Sequence, residues 1–297
     1  MINYLYCIDS GYNLQCFISI NSLIKYNKSK LNIHIIHKNP ETFRNYKHKI
    51  LENKNVQLNI HKFKNNEYRF KINSGHLSEA TYYRLFMGDY LNDDVKKLIY
   101  LDADVFAINK FSSVIDSTFQ ELKEKNLTLA ALDVANYDGP LTKEPYFNAG
   151  VLFIDYDKWL EENISTKLKN NIEEDYEYHD QDMLNKYFSN KFLNINKWLN
   201  MHVVLEDHVF NKDLIEKEAY FVHYVGKTKP WNIEGMIKLN SYFYHELIKE
   251  FNNGYLGLSK PRLSEIINFI LKIRKTIFSK NFIYYVKNLL KINNNAL

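Results

Sequence analysis

The chain has 297 residues, 45% of them apolar, enough for one large domain with a sizeable core and an appendage. Its net charge of +4 is unevenly placed: eight Lys/Arg against one acid lie from Leu258 onward, a net +7, leaving −3 for the body. A mildly acidic body excludes a nucleic-acid binder with a basic reading face, and with no run of about 18 apolar residues no transmembrane helix is expected.

In chain order, Val/Ile/Tyr-rich runs alternate with helical periods, which predicts an α/β domain. Residues 2–8 read as the first strand. The N-terminus has neither a basic region nor a small-residue cleavage site, so no signal peptide is expected. Cys7 and Cys16 fall on that strand and the next helix, and read as free buried thiols in a reducing cytosol. Leu14, Phe17, Ile18, Leu23 and Ile24 give a helix over 13–26. Strands are expected at 32–37, 56–61, 97–101, 128–132 and 150–154, and a helix at 79–91. Asp155 and Asp157 precede Trp159-Leu160 as helix caps. Gly254, Gly257 and Pro261 punctuate the entry to the tail. The division expected is a domain over 1–257 and a basic amphipathic helical tail over 258–297. The tail interleaves lysines with Ile266, Ile267, Phe269, Ile270, Ile273 and a second apolar stretch from Phe282. That composition suits an anionic membrane surface, and the alternative is a helix pair packed on the domain or on a second subunit.

Two stretches carry the chemistry. Leu98-Ile99-Tyr100-Leu101 leads into Asp102-Ala103-Asp104, and alternation along a strand would point both carboxylates the same way. Two hard oxygen ligands at a strand end suit a divalent cation carrying phosphate. His223-Tyr224-Val225-Gly226-Lys227-Thr228-Lys229-Pro230-Trp231 adds an imidazole, a glycine that admits close backbone, and lysines for phosphate. A nucleotide-sugar transferase is the leading reading. Asp155–Asp157 and Asp180–Asp182 repeat the Asp-x-Asp spacing, but turn and capping aspartates explain 155 and 157, and helix capping is the simple reading of Asp180. Arg84, one of five arginines against 34 lysines, reads either as a fork on a carboxylate or phosphate or as a helix-surface residue. Phe147-Asn148-Ala149-Gly150 opens a strand with small residues, where a ligand can approach and the Asn148 amide can meet sugar hydroxyls.

Taken together, six ordered blocks resemble family 8 retaining glycosyltransferases, especially bacterial lipopolysaccharide or lipo-oligosaccharide hexosyltransferases. They are Tyr6-Cys-Ile-Asp9, His76 through Arg84, Tyr100-Leu-Asp-Ala-Asp104, Phe147-Asn-Ala-Gly150, His179-Asp-Gln-Asp182 and His223-x-x-Gly226-x-x-Lys229-Pro-Trp231. The resemblance implies a GT-A-type fold with a mixed, mainly parallel sheet, and a UDP-hexose donor, galactose or glucose. It implies Mn²⁺, or Mg²⁺, held by Asp102, Asp104 and His223. Asp9 would meet the uridine end, Ala103 and Gly150 would line the donor site, and Gly226 and Lys229 would embrace the diphosphate. Arg84, Asp133, Asn148 and Asp180 would orient the donor sugar, with Gln181 beneath its anomeric carbon and His76 on the donor side. Front-face attack is favoured over a double displacement on Asp180 or Asp133. A saccharide or glycolipid acceptor on the cytoplasmic face of the inner membrane is implied. The rivals are a Mg²⁺ phosphohydrolase built on Asp102 and a non-catalytic membrane-surface scaffold. In the sequence itself, Ser10-Gly11 after Asp9 and the short segment 134–146 depart from the family pattern.

Overall fold

The computed structural model describes residues 2–65, 67–72, 78–135, 144–207 and 210–252, and six positions between 263 and 271. Its strands are β1 Ile2–Ile8, β2 Leu31–His37, β3 Val56–Lys62, β4 Lys97–Leu101, β5 Val105–Ala107, β6 Leu129–Asp133, β7 Phe147–Asp155, β8 Leu193–Asn194, β9 Met201–Val204 and β10 Phe221–Val225. Seven make one sheet in the order β3-β2-β1-β4-β7-β6-β8, and three make a second in the order β5-β10-β9. In the large sheet only β7 runs antiparallel to its neighbours, β4 and β6, so the sheet is mixed and mainly parallel, as expected. The helices are α1 Asn13–Tyr26, α2 Arg44–Leu51, α3 Ser112–Glu124, α4 Tyr156–Glu161, α5 Ile164–Lys169, α6 Asp180–Phe188, α7 Lys212–Glu218 and α8 Tyr242–Phe251.

The near-continuous apolar strands follow from burial on both faces. Tyr4, Tyr6 and Ile8 of β1, Ile99 and Leu101 of β4, and Val151 and Phe153 of β7 enter one core, with α1, α3 and α8. The alternate residues, Leu5 and Cys7, Leu98 and Tyr100, Leu152 and Ile154, enter a second core with α4, α5 and α6. Each fully buried large side chain contributes about 1.5–3 kcal/mol, so the two cores hold the sheet between them. Cys7 and Cys16 are free and buried, as read from the sequence.

Three elements differ from expectation. Residues 79–91 wind as a 3₁₀ run, Glu79–Asp89, capped by Ser78, whose hydroxyl accepts from Ala80 N at 3.2 Å. Seven of its side chains are buried, so packing rather than propensity sets the winding. The 150–154 strand begins earlier, at Phe147, because the Asn185 amide brackets that residue, accepting from Phe147 N at 2.7 Å and donating to its carbonyl at 2.9 Å. The small second sheet has no counterpart in the sequence reading, since strands of three to five residues are too short to show a period. Asp155 does cap α4, accepting from Lys158 N at 3.4 Å. The expected tail and the boundary at 257 lie outside the described residues, apart from Leu263, Ile266, Ile267, Phe269, Ile270 and Leu271, all helical. No helix among the described residues is long and apolar enough to cross a membrane.

At the sheet edge His34 of β2 and His61 of β3 stack with ring centroids 5.7 Å apart, and His34 Nδ1 lies 3.4 Å from His61 Nε2. Burial, reinforced by His61 and opposed by Asp94, lowers the His34 pKa to about 4, and burial lowers that of His61 as well. A histidine with a depressed folded pKa costs nothing above its unfolded value of about 6.5. It destabilises progressively as pH falls toward 4, because only the unfolded chain takes up the proton. His34 alone should make the protein about 2 kcal/mol less stable at pH 5 than at pH 7.5. Urea unfolding at both pH values checks this: His34→Gln should remove most of the difference, and an unchanged difference would clear His34 of the effect.

Candidate functional site

β1 has β2 on one side and β4 on the other, so the chain order reverses between β1 and β4. In open α/β sheets ligands bind outside the carboxyl ends of the strands at such a point. A cleft of about 100 Å³ opens here, lined by Asp9 after β1, Thr81 and Arg84 from the 3₁₀ run, and Tyr100, Asp102, Ala103 and Asp104 around the end of β4.

The two Asp-x-Asp carboxylates do not sit on one strand face, as alternation predicts. β4 ends at Leu101, and Asp102 to Asp104 form the turn into β5, closed by Val105 N donating to Asp102 O at 3.1 Å. The turn aims the side chains at different partners yet leaves them converging with His223, and one ligand atom from each of Asp102, Asp104 and His223 lies within 4.8 Å of the others. His223 arrives because β10 pairs antiparallel with β5, in register His223 opposite Val105. Lys229 Nζ donates to Asp104 Oδ2 at 2.8 Å and to the Tyr224 carbonyl. Burial alone would push the Asp104 carboxyl up, but Lys229 and His223 together hold it well below the usual carboxylate range. Asp104 Oδ1 is buried without a hydrogen bond and lies 3.3 Å from His223 Nε2. A buried oxygen in that condition, beside a second carboxylate and an imidazole nitrogen, fits a divalent cation of the Mn²⁺ or Mg²⁺ type.

Gly150 makes room for this cluster. A Cβ there would overlap the His223 ring and lie 3.0 Å from Asp102 Oδ2. Gly226 takes φ +87°, the left-handed region that favours glycine, as the chain turns away from β10. Lys227 belongs to that turn, which returns to place Lys229 at Asp104.

Arg84 is not on a helix surface. It is 4% exposed, with Nη2 donating to Asp102 Oδ1 at 3.0 Å, Nη1 donating to the Ala149 carbonyl, and Nε 2.8 Å from Asp180 Oδ2. Its guanidinium lies 4.1 Å from the centre of the Tyr100 ring. Burial pushes the Tyr100 hydroxyl well up, so it stays protonated and donates to Asp102 Oδ1 at 2.5 Å. Asp180 is not the cap of α6 but its first residue, 2% exposed, with Thr81 Oγ1 donating to its carboxylate. Its carboxylate is engaged by Arg84 and Thr81. Burial raises the Asp180 pKa even though Arg84 and Thr81 pull it down.

Gln181 lies alongside. Its Oε1 accepts from Ala149 N at 2.9 Å and from Asn148 Nδ2 at 3.4 Å, and its Nε2 donates to Tyr146 Oη at 3.1 Å. Tyr146 Oη in turn donates to Asp182 at 2.5 Å. Asn200, wholly buried, bridges Asn148 and His223. Asp133 stands apart from the cluster. Its Oδ1 accepts from Ala135 N at 3.0 Å and Tyr146 N at 3.2 Å, closing the base of the 134–146 segment, of which 136–143 lie outside the described residues. Asp9 Oδ1 accepts from Gly11 N at 2.8 Å, capping the short turn after β1, and the residue still lines the cleft. His76 lies outside the described residues. Thr81, Tyr100, Tyr146 and Asn200 escaped the sequence reading. Tyr100 stood inside a quoted block and was legible as a neighbour of Asp102; Asn200 belongs to no motif.

Such a site suits an enzyme that handles a nucleotide phosphate beside a cation. The pattern of glycosyl transferase family 8 matches residues 3–235, and the chain belongs to that family. It is 33% identical over 179 residues to the lipopolysaccharide 1,3-galactosyltransferase of Salmonella typhimurium, covering 55% of this chain and 52% of that one, so the match spans about half the relative's length. It is 25% identical over 252 residues to the lipopolysaccharide glucosyltransferase WaaO of Escherichia coli, covering 76% and 71%. The fold is shared with the galactosyltransferase LgtC, solved with donor and acceptor sugar analogues, at a TM-score of 0.62 and 20% identity over 89% of this chain and 98% of that one. The expected GT-A architecture is therefore present, and neither the phosphohydrolase nor the scaffold reading is favoured.

Proposed function

We propose that the protein is a retaining hexosyltransferase that moves galactose or glucose from a UDP-sugar to a saccharide acceptor, with lipopolysaccharide or lipo-oligosaccharide core as the leading acceptor class. The single observation that carries the reading is the convergence of Asp102, Asp104 and His223, with a buried carboxylate oxygen left unbonded, at the switch point of a family 8 chain. The two relatives named above support either hexose, and do not choose between them.

Asp102, Asp104 and His223 would hold Mn²⁺, or Mg²⁺, which when bound supplies positive charge to a diphosphate leaving group. Lys229 stands beside the same carboxylate and adds an ammonium point charge there. Gly226, free of a side chain, leaves backbone accessible to phosphate. Asp9 takes the uridine end, and Ala103 and Gly150 keep the cleft open. Arg84 holds Asp102 and Asp180 in fixed positions, while Asn148 and Gln181 face the sugar with His76 on the donor side. Retention is best served by front-face attack. Asp180 is engaged by Arg84 and Thr81, Asp133 is tied to loop backbone, and Gln181 is an amide, so none of these three offers a free carboxylate as nucleophile.

The test is UDP release from a panel of UDP-sugars with Mn²⁺, with Mg²⁺ and with EDTA, run beside a panel of phosphate esters. Release from UDP-galactose or UDP-glucose that stops in EDTA is expected. Phosphate release from esters without UDP release would overturn the reading in favour of the phosphohydrolase.

The tail belongs to the same proposal. Leu263, Ile267, Ile270 and Leu271 are exposed at helical spacing in a segment of net charge +7, which supports peripheral attachment to an anionic cytoplasmic leaflet. Full-length protein should co-sediment with anionic vesicles at low salt and detach as salt rises, and deletion from residue 259 should abolish sedimentation while UDP release persists. Equal sedimentation of both forms would place the tail on the domain or a second subunit.

A further inference from the structure

We infer that Asn200 is a positioning residue that fixes which nitrogen of His223 is free to ligate a metal, and that its orientation is dictated by the backbone amide of Gly150. The inference rests on the metal-binding reading of Asp102, Asp104 and His223, and adds the device that prepares the imidazole.

The polarity of the network is set at one end by a group that has no choice. A backbone N–H can only donate. Gly150 N lies 3.0 Å from Asn148 Oδ1, so that side of the Asn148 amide is the oxygen. The Asn200 amide approaches the same oxygen at 3.0 Å, so it must present its nitrogen. The other end of the Asn200 amide is then its oxygen, and this lies 3.0 Å from His223 Nδ1. An amide oxygen can only accept. His223 Nδ1 therefore carries a hydrogen, and in the neutral ring Nε2 is left with its lone pair. Nε2 lies 3.3 Å from Asp104 Oδ1, which is itself without a hydrogen bond. Two electron-rich atoms facing each other in a buried place are the arrangement a cation completes.

Reversing Asn148 would set donor against donor at Gly150 N, and reversing Asn200 would set its oxygen against Asn148 Oδ1, acceptor against acceptor, in a site where Asn200 is wholly buried and His223 is 4% exposed. A second backbone amide locks the far end: Ala149 N donates to Gln181 Oε1, so Asn148 Nδ2 meets an oxygen there too. Two consecutive amides of β7, next to the glycine that makes room for the imidazole, thus orient every side chain between Gln181 and His223. Partners that fix the tautomer of a metal-bound histidine typically change metal affinity about 10–100-fold when removed.

The experiment uses the full chain labelled with ¹⁵N-histidine. Long-range ¹H–¹⁵N spectra report the tautomer of each of the ten histidines, and the His223 signals are assigned by their loss in His223→Asn. Binding of Mn²⁺ alone is followed by electron paramagnetic resonance of the free ion. Wild-type His223 should show the pattern of a protonated Nδ1. Asn200→Leu, which removes the acceptor, should mix the tautomers and weaken Mn²⁺ binding about 10–100-fold. Asn200→Asp, whose carboxylate also accepts, should keep the Nδ1–H pattern. A wild-type spectrum with the proton on Nε2, or Asn200→Leu binding Mn²⁺ like wild type, would overturn the inference. If Asn200→Leu does not fold, the wild-type spectrum decides alone. A wild-type Nδ1–H pattern without any Mn²⁺ binding would instead sink the metal reading and leave the tautomer assignment standing.

Discussion

Asp104→Asn should lower hexosyl transfer by about 10³-fold or more while the protein stays folded. Removal of one preorganised charge-stabilising group at a reacting centre typically costs about 10²–10³-fold. Asp104 goes further, since it serves two purposes: one oxygen is the unbonded atom that faces His223 Nε2, and the other pairs with Lys229. An asparagine of the same shape keeps the packing but loses the charge, and must turn an NH₂ toward either the imidazole or the ammonium. Mn²⁺ binding and UDP release should therefore fall together, and His223→Ala should reproduce both losses. Circular dichroism and thermal midpoints verify folding. Turnover near wild type for either variant, or wild-type turnover in EDTA, would remove the cluster from the reaction.

Replacing Arg84 with methionine should destabilise the protein by about 3–5 kcal/mol, because it leaves a buried charge without its partner. The guanidinium is the counter-charge of Asp180, whose side chain is 3% exposed, and it also donates to Asp102. Arg84→Lys should recover only part of the loss, since one ammonium cannot span Asp102, the Ala149 carbonyl and Asp180 together. The pH dependence has a definite sign. Asp180 already has a raised folded pKa through burial, and losing Arg84 raises it further. A carboxyl with a raised folded pKa favours the folded state below its unfolded value of about 3.9 and loses that contribution as pH rises. The deficit of Arg84→Met should accordingly grow from pH 4 to pH 7 in urea unfolding. A deficit below about 1 kcal/mol at pH 7 would mean that the pair is no more than a surface bridge. The same variant should also lose transfer beyond its stability cost, as Asp102 would be held by Tyr100 alone.

The reading of the large sheet from sequence succeeded where the signal was local. Runs rich in Val, Ile, Leu and Tyr marked β1 to β4 and β6, and the helix period placed α1 at 13–26, because burial leaves a pattern in consecutive residues. The acids after β4 and the segment around His223 were legible for a related reason: charged residues at the end of an apolar run are exceptions to the pattern.

What the tertiary structure decided is how distant exceptions meet. Asp102 and Asp104 converge through a turn rather than along a strand, although β4 ends at Leu101 where the sequence places its end. Arg84 read in its own segment as either a carboxylate fork or a surface residue, and Asp180 as a cap; they form a buried pair because the 3₁₀ run and α6 pack on the same sheet face. Asn200 has no local signature at all. Its role follows from two short strands whose register sets His202 opposite His223, and from two β7 amides that admit one polarity. Composition and periodicity determined which residues go inside, since the transfer of apolar surface is additive along the chain. Hydrogen-bond direction and metal geometry depend on atoms brought together from β4, β7, β9 and β10, and only the packing of the two sheets sets those distances.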